Sequence, residues 1–241
     1  MSFDFIPVRT RLVCPPRDDI TDILDSLPEL REKDIIFITS KILGIHQGRC
    51  VPCDGVDKTD LIKREADRYL SYTHRGGFNV NLTVTDNVLI PAAGIDASNA
   101  GGYYVMWPKN VDALCADIRK RLCAKRGLRD LGVVSTDSHT TPLRYGVTGI
   151  STGLAGVEPL KDLRGHADLF GRPLALTQVD EIDALAAMAV LLMGEADECT
   201  PIVILRGWDK IVFNEHASMK DFKIDPEDDL YTPLLSVMQC K

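Results

Sequence analysis

Short apolar runs bounded by polar turns alternate along this chain with longer stretches in which apolar residues recur every three or four positions. That is the pattern of strands interleaved with amphipathic helices. Phe5–Val13 alternates loosely and predicts an opening strand, ended by Pro15 and Pro16. Within Asp18–Leu27, the residues Ile20, Ile23, Leu24 and Leu27 form a helical stripe. Asp34–Ile38 predicts a buried strand that runs into Thr39, Ser40 and Lys41, and Lys58–Leu70 an amphipathic helix. Asn79–Ile90 alternates as a hairpin turning near Asp86 and Asn87, then leads into Pro91–Asn99, where an acid, Asp96, sits among small and hydrogen-bonding neighbours. Val111, Leu114, Cys115, Ile118 and Leu122 mark a further helix. Later come a strand over Pro173–Val179, a helix over Asp180–Met193 whose central face is apolar and therefore buried, and a buried strand over Pro201–Leu205. The tail from Asp221 is acidic and irregular until Leu230–Met238.

The stretch around which the rest is organised is Leu131–Gly156. It opens with an apolar run, Leu131–Val134, as brief as a buried strand, and turns polar at Ser135, Thr136, Asp137 and Ser138. Strand ends are where open α/β sheets build their sites, so a carboxylate flanked by hydroxyls there is a functional candidate. Ser40 and Lys41 repeat that placement after their own strand, although Lys41 could equally be a solvated lysine. The glycines that follow Arg144, from Gly146 to Gly156, permit close approach of backbone to a partner. That partner is either a ligand or the protein itself.

Composition narrows the class. The chain has 241 residues, enough for one domain or two small lobes, and its 45% hydrophobic and 26% charged content is ordinary for a globular protein. No repeat, low-complexity tract or linker divides it. No run reaches the roughly 20 apolar residues that cross a bilayer, and the N-terminus has no export signal, so a cytoplasmic protein without a membrane partner is expected. A net charge of −7 argues against a nucleic-acid surface, which needs a basic face. The seven cysteines are odd in number and scattered, and a single CxxC (Cys50, Cys53) without a second is weak evidence for metal or redox chemistry.

Three carboxylates, Asp96, Asp137 and Glu195, each follow an apolar element and sit among small residues. Hard divalent cations take oxygen ligands, and magnesium is commonly held by one or two carboxylates together with water and phosphate oxygens. Through such ions an acidic protein can bind an acidic nucleotide. Sequence distance leaves open whether the three meet. There is no P-loop, no GxGxxG after a strand and no kinase catalytic loop. The histidines have no ligand-like spacing; His139 reads as a loop residue, and Ser138 has no evident triad.

Several segments together resemble the CofE family of coenzyme F420-0:L-glutamate ligases, which also occurs as a domain of mycobacterial FbiB. They are Ala93–Asn99 (AGIDASN), Val133–Ser138 (VVSTDS), the glycine spacing of Gly146–Gly156, Asp162–Arg172, Leu191–Glu195 (LLMGE) and Pro201–Gly207. They occur in order over nearly the whole chain. The resemblance implies an α+β fold of sheets and packed helices, a single domain over residues 1–241, and a homodimer. It implies use of GTP (or ATP) with Mg2+ or Mn2+ to phosphorylate a carboxylate acceptor, after which the amine of L-glutamate displaces phosphate. By matching position, Asp96, Asp137 and Glu195 are implied as metal ligands, with Ser138 beside them. Ser40, Lys41 and Asn99 are implied near the nucleotide, and Asp96, Asp137 and Arg144 stand as catalytic candidates. The chain departs from the family pattern at three places: Ile45 replaces a lysine, Thr140 and Thr141 replace an arginine-containing stretch that leaves only Arg144, and Ala92 replaces an asparagine. Coenzyme F420-0 is the first acceptor implied and a folate the second. A catalytically degenerate nucleotide-binding homologue is the rival from another class, and an inert scaffold with incidental acids the blandest.

Overall fold

The computed structural model describes residues 3–240. In chain order the elements are β1 (Asp4–Val8), α1 (Thr21–Asp25), β2 (Asp34–Thr39), α2 (Ser40–His46), β3 (Cys50–Pro52), α3 (Lys58–Glu65), β4 (Arg68–Thr73), β5 (Asn79–Thr85) and β6 (Val88–Pro91). They continue with β7 (Tyr103–Val105), α4 (Val111–Arg126), β8 (Leu131–His139), β9 (Thr148–Val157), β10 (Leu160–Asp162), β11 (Gln178–Asp180) and α5 (Glu181–Met193). The last are β12 (Ile202–Arg206), β13 (Phe213–Asn214), α6 (Thr232–Leu235) and β14 (Gln239–Cys240). The fold is mixed α/β with several sheets.

The main sheet has the order β1-β12-β2-β8-β9-β13. Its central pair, β2 and β8, is parallel and the other pairings are antiparallel. Strand side chains alternate between faces, and in β2, β8 and β12 both sets are apolar, so both faces must be covered. Ile36, Ile38, Val133, Ile202 and Ile204 pack with α1, α2 and α4 on one face. Ile35, Phe37, Val134, Val203 and Leu205 pack with α5 on the other. Ile35, Ile36, Phe37 and Ile38 of β2, like Ile202, Val203, Ile204 and Leu205 of β12, are wholly removed from solvent, each worth about 1.5–3 kcal/mol of burial, which places these two adjacent strands firmly. Asp34, buried at the start of β2, accepts two hydrogen bonds from Arg206 at the end of β12 (3.0 and 2.7 Å).

A second antiparallel sheet, β14-β4-β5-β6, and the β3–β7 pair stand apart from the main sheet. The β5–β6 hairpin turns at Asp86 and Asn87, both left-handed (φ 53° and 65°), the geometry of the tight primed turn that the sequence predicts there. After β6 the chain makes a 3-10 turn over Ala92–Gly94, with Ala92, Ala93 and Gly94 at φ 56°, 53° and 68°.

Several boundaries differ from the sequence expectation. The opening strand stops at Val8, where its pairing with β12 runs out, because Arg11 ties the following segment to Asp18 and Asp22 instead. The helix expected over Lys58–Leu70 ends at Glu65, since Arg68–Thr73 alternates and pairs with β5. The strand expected over Pro173–Val179 shrinks to Gln178–Asp180, and most of that segment belongs to an exposed arm tied together by Leu163–Thr177 and Gly165–Leu174 backbone hydrogen bonds. The strand Leu131–Val134 does not stop at the polar residues but continues to His139, because Ser135 and Thr136 are buried between neighbouring strands. The glycine-rich segment is itself a strand, β9. A Cβ on Gly149 would strike Ala186 and Val190 of α5, and one on Gly153 would strike Val111 of α4. The partner of these two glycines is the protein's own pair of helices, not a ligand.

Candidate active site

The parallel register of β2 and β8 builds the centre of the site. Thr39 lies opposite Thr136, so the next residues, Ser40 and Asp137, emerge side by side at the carboxyl ends of adjacent strands. Ser40 Oγ accordingly donates to Asp137 Oδ2 at 2.9 Å across 97 positions of sequence. The indole Nε1 of Trp107, just past β7, donates to the same oxygen, and the Ser138 amide donates to Oδ1 at 2.7 Å. Every one of these donors is neutral. Burial pushes the Asp137 carboxyl up to about 6 in spite of the hydrogen bonds from Trp107, Ser138 and Ser40 and the charge of Lys41, which pull it down. Just before Asp137 the pairing of β8 with β9 slips by one residue between Ser135 and Thr136, and Ser135 meets the extra residue, Thr152, in a hydroxyl–hydroxyl bond of 2.7 Å.

Alternation along β8 sends the next side chain to the other face. Ser138 Oγ donates to Glu195 Oε2 at 3.3 Å. Glu195 follows Gly194, which ends α5 at φ 77°, a backbone conformation costly for any residue with a Cβ.

Asp96 is delivered by the second part of the molecule. Its backbone pairs with Val105 in both directions (3.1 and 2.8 Å), which anchors it beside β7. Burial raises its carboxyl, but Lys41 and the Ser98 amide and hydroxyl (both 2.7 Å) outweigh that and hold it below the usual range. Lys41 Nζ ion-pairs with Asp96 and also donates to the Ser98 carbonyl and hydroxyl, both at 3.2 Å. Asn99 Nδ2 donates to the Ala196 carbonyl at 2.7 Å and so joins this segment to the loop after α5.

The acids, Lys41, Trp107 and the hydroxyls of Ser40, Ser98 and Ser138 line one cavity of about 450 Å³, within the range of small-molecule sites. Ser40, Lys41, Asp96, Asn99, Asp137, Ser138 and Glu195 are therefore brought together although they are spread over 156 positions of sequence (40 to 195). Arg144 is not among them: it lies in the exposed turn between β8 and β9, where its guanidinium donates to the neighbouring Leu143 carbonyl at 3.1 Å. His139 is the last residue of β8 and lies outside the cavity lining. Ile45 lines the cavity as a fully buried apolar side chain. Among the described residues no three His, Cys, Asp or Glu side chains stand close enough together to hold one ion; each acid rests on its own partners.

Sequence reasoning missed Trp107, Arg11, Asp197 and Glu198, which also line the cavity. Trp107 is one of only two tryptophans and interrupts an apolar run just before Pro108, a signal that was available. Arg11 carried none: it lies in the rim segment and is locked by Asp18 (2.8 and 3.0 Å) and Asp22 (2.8 Å to each oxygen).

Fold and cavity define a mixed α/β protein that offers carboxylates and hydroxyls, with a lysine among them, to a ligand at the carboxyl ends of two parallel strands. The family described as F420-0:Gamma-glutamyl ligase matches residues 7–207, and the chain belongs to that family. Similar proteins named coenzyme F420:L-glutamate ligase include that of Methanothermobacter thermautotrophicus, 42% identical over 86% of this chain and 90% of its own length. That of Methanopyrus kandleri is 33% identical over 83% and 85%, and that of Archaeoglobus fulgidus 28% over 95% and 96%. No helix among the described residues is long and apolar enough to cross a membrane.

Proposed function

We propose that this protein is a γ-glutamyl ligase that joins L-glutamate to a carboxylate of coenzyme F420-0 or a close analogue, using GTP or ATP. The observation that carries the reading is a family match over most of the chain, together with one cavity lined by acids and hydroxyls that are distant in sequence. In the reaction, an acceptor carboxylate oxygen attacks the terminal phosphorus and the nucleoside diphosphate leaves. The amine of L-glutamate then attacks the acyl carbon, phosphate departs, and the amine gives up a proton as the amide forms.

Five acids (Asp96, Asp137, Glu195, Asp197, Glu198) and two cations (Arg11, Lys41) line the cavity, so a triphosphate entering it meets a surplus of negative charge. The donor set fits a hard divalent cation. Its atoms are oxygens, and Asp137 accepts hydrogen bonds only from neutral groups, so it has a formal charge free for such an ion. Asp96, Asp137, Ser138 and Glu195 are the oxygen donors from which Mg2+ or Mn2+ would be held, with the acids drawing closer than they stand here, since no three of them now surround one ion; the metal would supply neutralisation of charge on the transferring phosphoryl group. Lys41 is placed to contact phosphate if it exchanges Asp96 for a ligand, and Ser40 and Asn99 line the path beside it.

Incubating the protein with GTP or ATP, Mg2+ or Mn2+, L-glutamate and either coenzyme F420-0 or a folate tests this, with mass spectrometry reading a glutamyl increment. An increment on F420-0 alone supports the reading, one on the folate alone replaces the acceptor, and none on either removes the ligase. The apolar Ile45 at the cavity wall and Arg144 outside it favour a second reading, a homologue that binds nucleotide without turnover; nucleotide affinity by calorimetry with no product would establish it. We also propose a homodimer, supported by the exposed apolar face of α5 at Met188, Leu191 and Leu192.

A further inference from the structure

A carboxylate oxygen has two lone-pair sites, and the hydrogen bonds to Asp137 divide them unequally. Oδ2 accepts from Ser40 and from the Trp107 indole, which uses both of its sites. Oδ1 accepts from the Ser138 amide alone, which leaves one. Trp107 is built to make its contact. It is 7% exposed, packed with Val88 and Ile90, and its carbonyl accepts from Arg49 Nε at 3.1 Å. The indole lies against Gly94, where any Cβ would collide with Nε1, Cε2 and Cδ1, so ring and glycine fit only each other. A buried indole N–H needs an acceptor, and Asp137 is the one it has.

From this geometry we infer that Trp107 is a positioning residue: with Ser40 it fixes the rotation of Asp137 through Oδ2, so that Oδ1 is the atom offered to a divalent cation. The inference rests on the proposed reading of Asp137 as a metal ligand. Partners of this kind orient ligating carboxylates, and their loss commonly costs about 10- to 100-fold in metal affinity.

Mn2+ is the probe, and its binding is followed by calorimetry or by the spin-resonance signal of the free ion, without substrates. Trp107→Phe keeps an aromatic ring, smaller than the indole, and removes the N–H; it should weaken Mn2+ binding by about tenfold or more while its melting curve stays cooperative. Asp137→Asn should weaken it further. In a Trp208→Phe background, where Trp107 is the single tryptophan and is excited selectively over the tyrosines, Mn2+ should change the emission with the same midpoint as binding, and Asp137→Asn should abolish the change. Trp208 packs on Phe3 and lies outside the cavity lining, so its loss leaves the site intact. Wild-type affinity in Trp107→Phe with impaired binding in Asp137→Asn would overturn the positioning role and leave the site reading standing. Wild-type affinity in Asp137→Asn, or no Mn2+ binding by the native chain, would overturn both. Should Trp107→Phe fail to fold, the single-tryptophan emission decides: a silent Trp107 during saturable binding overturns the inference.

Discussion

Ala92 and Ala93 sit side by side in left-handed backbone (φ 56° and 53°), a conformation that costs residues with a Cβ about 1–2 kcal/mol each. They are held there by what surrounds them: the Ala93 amide donates to Thr83 Oγ1 at 2.8 Å, and the turn aims the chain so that Asp96 meets Val105. Strain of this kind next to a cavity carboxylate is paid elsewhere in the fold. Ala92→Gly should therefore stabilise the protein by about 0.5–1 kcal/mol in denaturant unfolding, and a loss of stability would mean that the turn is not strained. Gly153→Ala should do the reverse. Its new methyl meets Val111, and the over-packed β9–α4 contact should cost about 1–3 kcal/mol at equilibrium without touching any cavity residue. The glycine spacing was plain in the sequence, but its purpose was not, because the atoms that forbid a side chain belong to helices elsewhere in the chain.

At the scale of elements, β2 and α5 were legible almost to the residue, since a run of large apolar residues and a long apolar helix each admit one arrangement. The ends of β1, α3 and β8 were not, because a strand stops where its partner stops. Arg206 and Asp34 tie the end of β12 to the start of β2, and Asp34 is fully buried. Arg206→Met should leave that carboxylate unpaired and destabilise by about 3–5 kcal/mol, read as a lowered midpoint in urea. At the start of α5, Asp180 accepts from the Asp183 amide at 2.9 Å, and burial together with the charge of Asp183 pushes its carboxyl up to about 7. A group that holds its proton more tightly when folded contributes stability at low pH and loses it as pH rises from about 4 through 7. Asp180→Asn keeps the cap and removes the repulsion, so its melting temperature should exceed that of the native chain above pH 7, and the difference should vanish near pH 4. An equal difference at both pH values would remove Asp180 as its source.

For the molecule as a whole, the outer face of α5 is the apolar surface that the proposed dimer would cover. Its inner face meets the main sheet, while Leu191 is 74% exposed on the outer one. Leu191→Glu should convert a dimer to a monomer in light scattering at unchanged helicity, and a native chain that is already monomeric would remove the proposed dimer. The sequence by itself determined the central strands, the long helices, the β5–β6 turn and the identity of the acids, because apolar period, turn chemistry and charge are local properties of the chain. Only the tertiary structure decided that Ser40, Asp96, Asp137, Ser138 and Glu195 share a cavity, that Arg144 does not, and that Trp107 holds Asp137. The reason is physical: the parallel register of two strands 97 residues apart sets Ser40 beside Asp137, and such a register is fixed by burial on both faces of a sheet, which no single segment contains.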